Sequence, residues 1–241
     1  MNRLKALIVI ALILFTTGCN DFFMICSLNP FYLDENVVLF HDIEGKWTAL
    51  PLQAKNKSNK DETSSSSVWK QVDTTSAWKI ERFISKETVK TKMGKDSTVF
   101  KPMNYYHISL NSINADSSIY QFKMVLFRVN NVLYADFMPD GNTGLEKSRF
   151  ATESYFTVHT LARVVMHNKQ LDISWLGAEY MKDMIENKRV RVNYRWVESA
   201  SRLLLTGSPE QLTGMIDRYA GERRFIDWES QKAMLTLNRI K

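Results

Sequence analysis

The chain has 241 residues, 44% hydrophobic and 24% charged, with six Trp, nine Tyr and thirteen Phe. That balance excludes a disordered chain and supplies enough large side chains for one sizeable core. Two cysteines exclude a disulfide scaffold, and a net charge of +6, spread without a basic stripe interleaved with aromatics, argues against a nucleic-acid partner.

Residues 1–18 carry Arg3 and Lys5, run apolar without a break from Ala6 to Phe15, and end in Thr16-Thr17-Gly18, with Cys19 next. A positive start, a greasy core and small residues before a cysteine are the order of a bacterial lipoprotein signal. The apolar core of this predicted N-terminal signal helix has ten residues, short of the roughly 17–25 that span a bilayer. Cleavage between Gly18 and Cys19 is therefore expected, with the Cys19 sulfur taking palmitate-type acyl chains. Each buried methylene contributes about 0.8 kcal/mol, so several chains hold a protein to a membrane without any spanning helix. Thr16 stands where such signals usually carry Leu, and without lipid a small Cys19–Cys26 loop is the alternative. Loss of Arg3 and Lys5 with the signal leaves the mature body at +4.

Residues 19–40 are expected as an extended tether, because Asn29-Pro30 breaks any helix. A single β-rich domain is expected over 41–241, with the polar, serine-rich stretch 53–67 as a flexible loop. Gly45-Lys46-Trp47 opens a short strand. From Val68 to Met138 the pattern has period two: Trp78, Ile80 and Arg82, then Tyr106, Ile108 and Leu110, then Tyr120, Phe122, Met124 and Leu126 share faces. Asn130-Asn131 is a hairpin-turn dipeptide. Strands linked by polar turns, with no helices between them, predict an antiparallel meander. A second hairpin is expected across 167–169, joining 155–166 to 170–175. Two late helices follow. One, about 177–187, puts Met181, Met184 and Ile185 on one face. The other starts at Ser208 as N-cap with Pro209 first and Gln211 three residues on, and places Leu212, Met215, Ile216 and Tyr219 in one stripe. Further strands are expected at 190–197, 202–206 and 234–240.

Gly45-x-Trp47 ahead of a run of antiparallel strands, with Arg239 in the last strand, resembles the lipocalin pattern. The segments Val158-His159-Thr160-Leu161-Ala162-Arg163-Val164, Asp172-Ile173-x-x-Leu176 and Leu203-x-x-Thr206 before Glu210-Gln211-Leu212 resemble, more narrowly, lipocalin-like lipoproteins of Bacteroidota-type Gram-negative bacteria. Over roughly residues 30–240, the resemblance implies a barrel in which Trp47 packs at the base against Arg239. It implies no activity, since a fold hosts functions without defining one. Lipocalins carry one helix before the last strand; two helices separated by strands point to a modified or partly open barrel.

Chemistry is sparse. A Gly-x-Ser-x-Gly elbow, a phosphate-cradling glycine loop, a CxxC pair and a zinc-type His-Glu-x-x-His are all missing from the sequence. No catalytic residue, metal or cofactor is expected. His159 and His167 share a strand face, but eight residues put them about 26 Å apart, too far for one ion. Asp136, Asp140 and Glu146 gather near the Pro139 turn, where acidic side chains commonly meet solvent. The inward row Tyr120, Phe122, Met124 and Leu126, with His159, either fills a small barrel or lines a cavity for a small apolar ligand. The expected protein is a non-enzymatic envelope lipoprotein binding such a ligand, or alternatively an assembly accessory that meets a protein partner through its surface. Asn20, in place of the aspartate that resemblance to known lipoproteins associates with inner-membrane retention, points to the outer membrane. Asp21 as the sole early acid points to its periplasmic face.

Overall fold

The computed structural model describes residues 25–49, 76–90, 96–112, 118–140, 158–197, 202–219 and 234–240. Among them the order is β1 (Cys26–Ser27), β2 (Gly45–Ala49), β3 (Ser76–Lys90), β4 (Asp96–Ser112), β5 (Ser118–Val129), β6 (Val132–Pro139), β7 (His159–His167), β8 (Gln170–Trp175), α1 (Ala178–Glu186), β9 (Tyr194–Val197), β10 (Arg202–Leu205), α2 (Pro209–Tyr219) and β11 (Met234–Arg239). From β2 to β8 each strand pairs antiparallel with the next, β8 pairs with β11, and β11 returns to β2. The eight strands close into an antiparallel barrel, mainly β and lipocalin-like, with two helices among the described residues.

The partly open barrel expected from the extra helix is thereby corrected. The segment between β8 and β11 does not interrupt the wall. Its strands β9 and β10 leave the barrel and join β1, which pairs parallel with β10 and antiparallel with the first residues of β7. The barrel hairpins follow from their turns. Asn130 and Asn131 have φ of 48° and 63°, the left-handed pair that a two-residue turn between right-twisted strands requires.

Alternation sorts the side chains into two cores. Inside the barrel lie Trp47, Trp78, Ile80, Tyr106, Ile108, Met124, Leu126, Ala135, Phe137, Val164, Ile173, Trp175 and Leu237. Outside it, Phe127, Val129, Tyr134 and Leu161 project from the opposite face of β5–β7 into a second core. Met181 and Met184 of α1, the α2 stripe of Leu212, Met215, Ile216 and Tyr219, and Leu203 and Leu205 of β10 cover it. The apolar faces expected of both helices are thus the ones they bury. Ser208 and Gln211 cap α2 reciprocally, the Gln211 N–H donating to Ser208 Oγ at 3.4 Å and the Ser208 N–H to Gln211 Oε1 at 3.1 Å.

The expected tether is extended but docked from residue 25 onward. Ile25 and Phe31 are fully buried in the outer core, and the Val38 N–H donates to the Leu126 carbonyl at 2.9 Å. Two apolar anchors and a sheet partner hold this extended segment to the barrel. Residues 19–24 and the expected loop 53–67 lie outside the described residues.

The registers define two barrel ends. Ala49, Ser112, Ser118, Pro139 and Trp175 end their strands at the mouth; Gly45, the 130–131 turn, the 168–169 turn and Arg239 mark the base. Beyond the base β3 and β4 continue as a two-stranded arm from Ile84 opposite Pro102 to Lys90 opposite Asp96, with Ile84, Val99 and Phe100 exposed.

Candidate functional site

The base is closed by residues 38–44, which include the 3-10 turn His41–Ile43. The Trp47 indole N–H donates to the Ile43 carbonyl at 2.9 Å. Tyr106 Oη accepts from the Phe40 N–H at 2.7 Å and donates to the Phe40 carbonyl at 3.1 Å. Arg239 Cζ stands 4.9 Å from the Trp47 ring centroid, a cation–π contact, while its Nη2 donates to the carbonyls of Asp42 and, at 2.8 Å, of Glu44. Gly45 adopts φ +136°, a conformation that side-chain-bearing residues rarely take, so the chain turns beneath the guanidinium at a position suited to glycine. Gly45, Trp47 and Arg239 therefore meet at one spot, where they lock the floor.

Above the floor the inner wall changes. Met124 and Leu126 are fully buried, as are Ile80, Ile108 and Leu237. Toward the mouth, Phe137, Ala49 and Leu235 each keep 6% of their surface exposed, and Phe122 and Leu110 are only half-buried. Phe137 and Trp175 pack with ring centroids 5.5 Å apart. The Tyr120 backbone pairs with Leu110, while its side chain lies outside the described set. Of the expected lining row, then, Phe122, Met124 and Leu126 face inward as alternation required. Trp78, directly across from Trp47 on the neighbouring strand, is buried within this wall. Its indole N–H is also buried and has no hydrogen-bond partner among the described residues.

His159 does not line the interior, which corrects that expectation. On β7 the inward residues are Ala162 and Val164, so residues of opposite parity, 159 and 161, point outward. There His159 Nδ1 lies 2.8 Å from Asp136 Oδ1, and Asp136 Oδ2 accepts the Phe31 N–H at 2.9 Å. Asp136 is 2% exposed, not solvated as the acidic grouping near Pro139 suggested. Burial pushes its carboxyl above the usual carboxylate range; the hydrogen bond and charge of His159 and the Phe31 N–H pull the other way. The nearby Tyr32 phenol is raised to about 12, by burial first and by the charges of Asp136 and Asp34 after it.

Ser27 stands opposite His159 in register, which brings Asp, His and Ser onto neighbouring strands. Geometry removes the catalytic reading of that trio. Ser27 Oγ donates to the Leu205 carbonyl at 3.3 Å and accepts from the Asn29 N–H at 3.1 Å, so the hydroxyl is committed to backbone. The Asp136–His159 pair is a clasp holding the 25–31 segment to the barrel. His107 pairs instead with Asp140 at 3.1 Å, His41 with Glu44 at 3.1 Å, and His167 lies 3.9 Å from Asp172. Among the described residues no three His, Cys, Asp or Glu stand together as a metal site. Glu146, Gly18 and Cys19 lie outside the described residues.

The outer core has its own opening. A groove of about 440 Å³ runs between α1 and the β9–β10 pair, lined by Lys182, Ile185, Glu186, Tyr194, Trp196 and Leu203. Lys182 Nζ sits 5.8 Å from the Trp196 ring centroid. Among the described residues no helix is long and apolar enough to cross a membrane.

What alternation along single strands misses is the outer core. Its signal was present: Val125, Phe127 and Val129 are apolar at outward positions of β5, where a strand facing water carries polar groups. No family model, curated protein or solved structure matches this chain.

Proposed function

We propose that this protein is an exported, lipid-anchored envelope lipoprotein, lipocalin-like and non-catalytic, whose barrel holds a small apolar ligand. The order of residues 1–19 supports export and acylation at Cys19, with the outer membrane, periplasmic face, as the expected site. The observation that carries ligand binding is the gradient along the inner wall. The floor is sealed by Trp47, Tyr106 and Arg239, whereas the mouth half leaves apolar Phe122 and Leu110 half-buried. An eight-stranded barrel encloses room for filling side chains or for one small ligand, and exposed apolar wall on its inside favours the second.

A second reading, an assembly accessory that docks a protein partner, is favoured by the arm beyond the base. Phe100 is 66% exposed there and Ile84 55%, with Lys86 and Lys101 beside them. Two experiments separate these readings and test the anchor. Cys19→Ala should move the protein from the membrane to the soluble fraction; continued pelleting with membranes would refute the anchor. Native mass spectrometry of that soluble chain should reveal a co-purifying small apolar guest, whereas an empty barrel in stoichiometric complex with another protein would favour the accessory role.

A further inference from the structure

We propose that Trp78 is the polar handle of the barrel site, so that the ligand is a neutral, mostly apolar molecule carrying a hydrogen-bond-accepting oxygen, such as a ketone, ester or alcohol. The inference rests on the ligand-binding reading above and narrows its chemical class.

Trp47, Tyr106 and Trp78 bring ring-borne donors to the inner wall. Residues 38–44 supply acceptors for the first two, through the Ile43 and Phe40 carbonyls. Trp78 is paired in register with Trp47 on one side and Leu110 on the other, and nothing from the floor reaches its N–H. An indole nitrogen only donates, and a buried donor left unmade is costly, so native proteins rarely keep one. Water is a poor remedy. A buried water needs two to four polar partners, and the wall around Trp78 is built of Trp47, Ile80 and Leu110. An oxygen delivered on an apolar molecule satisfies the N–H while its hydrocarbon covers the half-buried wall of Phe122 and Leu110.

The charge of the ligand follows from the same wall. The buried polar residues Ser27, Asp136, Ser174 and Thr213 all lie off the inner face, and the described cations of inward parity, Arg82, Arg128 and Arg239, stand at the base against Tyr106, Phe40 and Trp47, away from the mouth half. A carboxylate entering there would lose its hydration without gaining a cation. The site therefore selects against acids and in favour of neutral oxygen-bearing molecules.

The test compares three probes of equal chain length on the soluble Cys19→Ala chain: 2-octanone, 1-octene and octanoate, each displacing N-phenyl-1-naphthylamine. We expect 2-octanone to bind roughly tenfold tighter than 1-octene, the effect of one added hydrogen bond, and octanoate to bind more weakly than the ketone. Trp78→Phe keeps an aromatic side chain, smaller by one ring, and deletes the donor; read as the ratio of ketone to alkene affinity within the variant, the roughly tenfold preference should disappear. In the Trp78-containing chain one indole N–H resonance should move downfield with the ketone and stay put with the alkene, a readout independent of whether the Phe variant folds. Equal binding of ketone and alkene, or an indole resonance indifferent to the ketone, would overturn the role of Trp78 while leaving the binding reading intact. Failure of every probe to displace the dye, together with no co-purifying guest, would overturn both.

Discussion

The two cores are built by different rules. The barrel interior comes from one repeated instruction, an apolar residue at every second position, executed on strands that mostly follow one another in sequence and pair as hairpins. The outer core is collected from distant pieces: Ile25 and Phe31, the outward side of β5–β7, α1, β10 and α2. They share a wall, since β5, β6 and β7 are apolar on both faces there, whereas Lys79, Glu81 and Ser109 stand on the outer side of β3 and β4. The barrel interior and the outer scaffold that braces it are therefore separable in origin. One core is local pattern, the other is long-range docking fastened by the Asp136 clasp.

The largest blow to the barrel should come from Trp47→Ala. Removing a buried ring from the floor costs about 3–5 kcal/mol, at roughly 2–4 °C per kcal/mol for a domain of this size. Thermal unfolding followed by circular dichroism measures it; an unchanged Tm would mean that the Trp47–Arg239 contact does not hold the base. Ile216→Ala makes the matching cut in the outer core. Its expected cost is about 2–5 kcal/mol, with hydrogen exchange quickening in α1, α2, β9 and β10 and staying slow in β3–β5. Uniform loss of protection would show that the two cores unfold as one.

The smallest expected effect is a slope. Burial raises the Asp136 carboxyl above its ordinary 3.8, so the folded state holds that proton longer than the unfolded chain does. Its contribution to stability is present in full at acid pH and is lost as pH climbs from about 4 through the raised value. Relative to Asp136→Asn, the wild type should therefore lose stability across that window, read as the difference in Tm between the two proteins at each pH. A difference that grows with pH would mean that the pairing with His159 outweighs burial.

Much of the barrel was legible because alternation is a local code. Phe122, Met124 and Leu126 needed only parity to be placed inside, and Asn130-Asn131 only turn chemistry. The capped stripe of α2 was equally plain. His159 reads as a lining residue because it lies in the stretch that resembles the lipocalin-like lipoproteins, and such a resemblance fixes no side chain's face; the inward set of β7, Ala162 and Val164, does. Asp136 escaped for a related reason: an acid close to Pro139 reads as a turn residue until Phe31 is folded over it.

By itself, then, the order of residues determined the mainly β class, the inward row and the late helices, all of which depend on spacing along the chain; the meeting of Gly45-x-Trp47 with Arg239 was implied only by resemblance to the lipocalin pattern. Tertiary structure alone decided that the wall closes through β6 and β7, that β9 and β10 leave it for an outer sheet, and that the Trp78 N–H is left without a partner among the described residues. Those outcomes depend on which distant segments meet, and no local period carries that information.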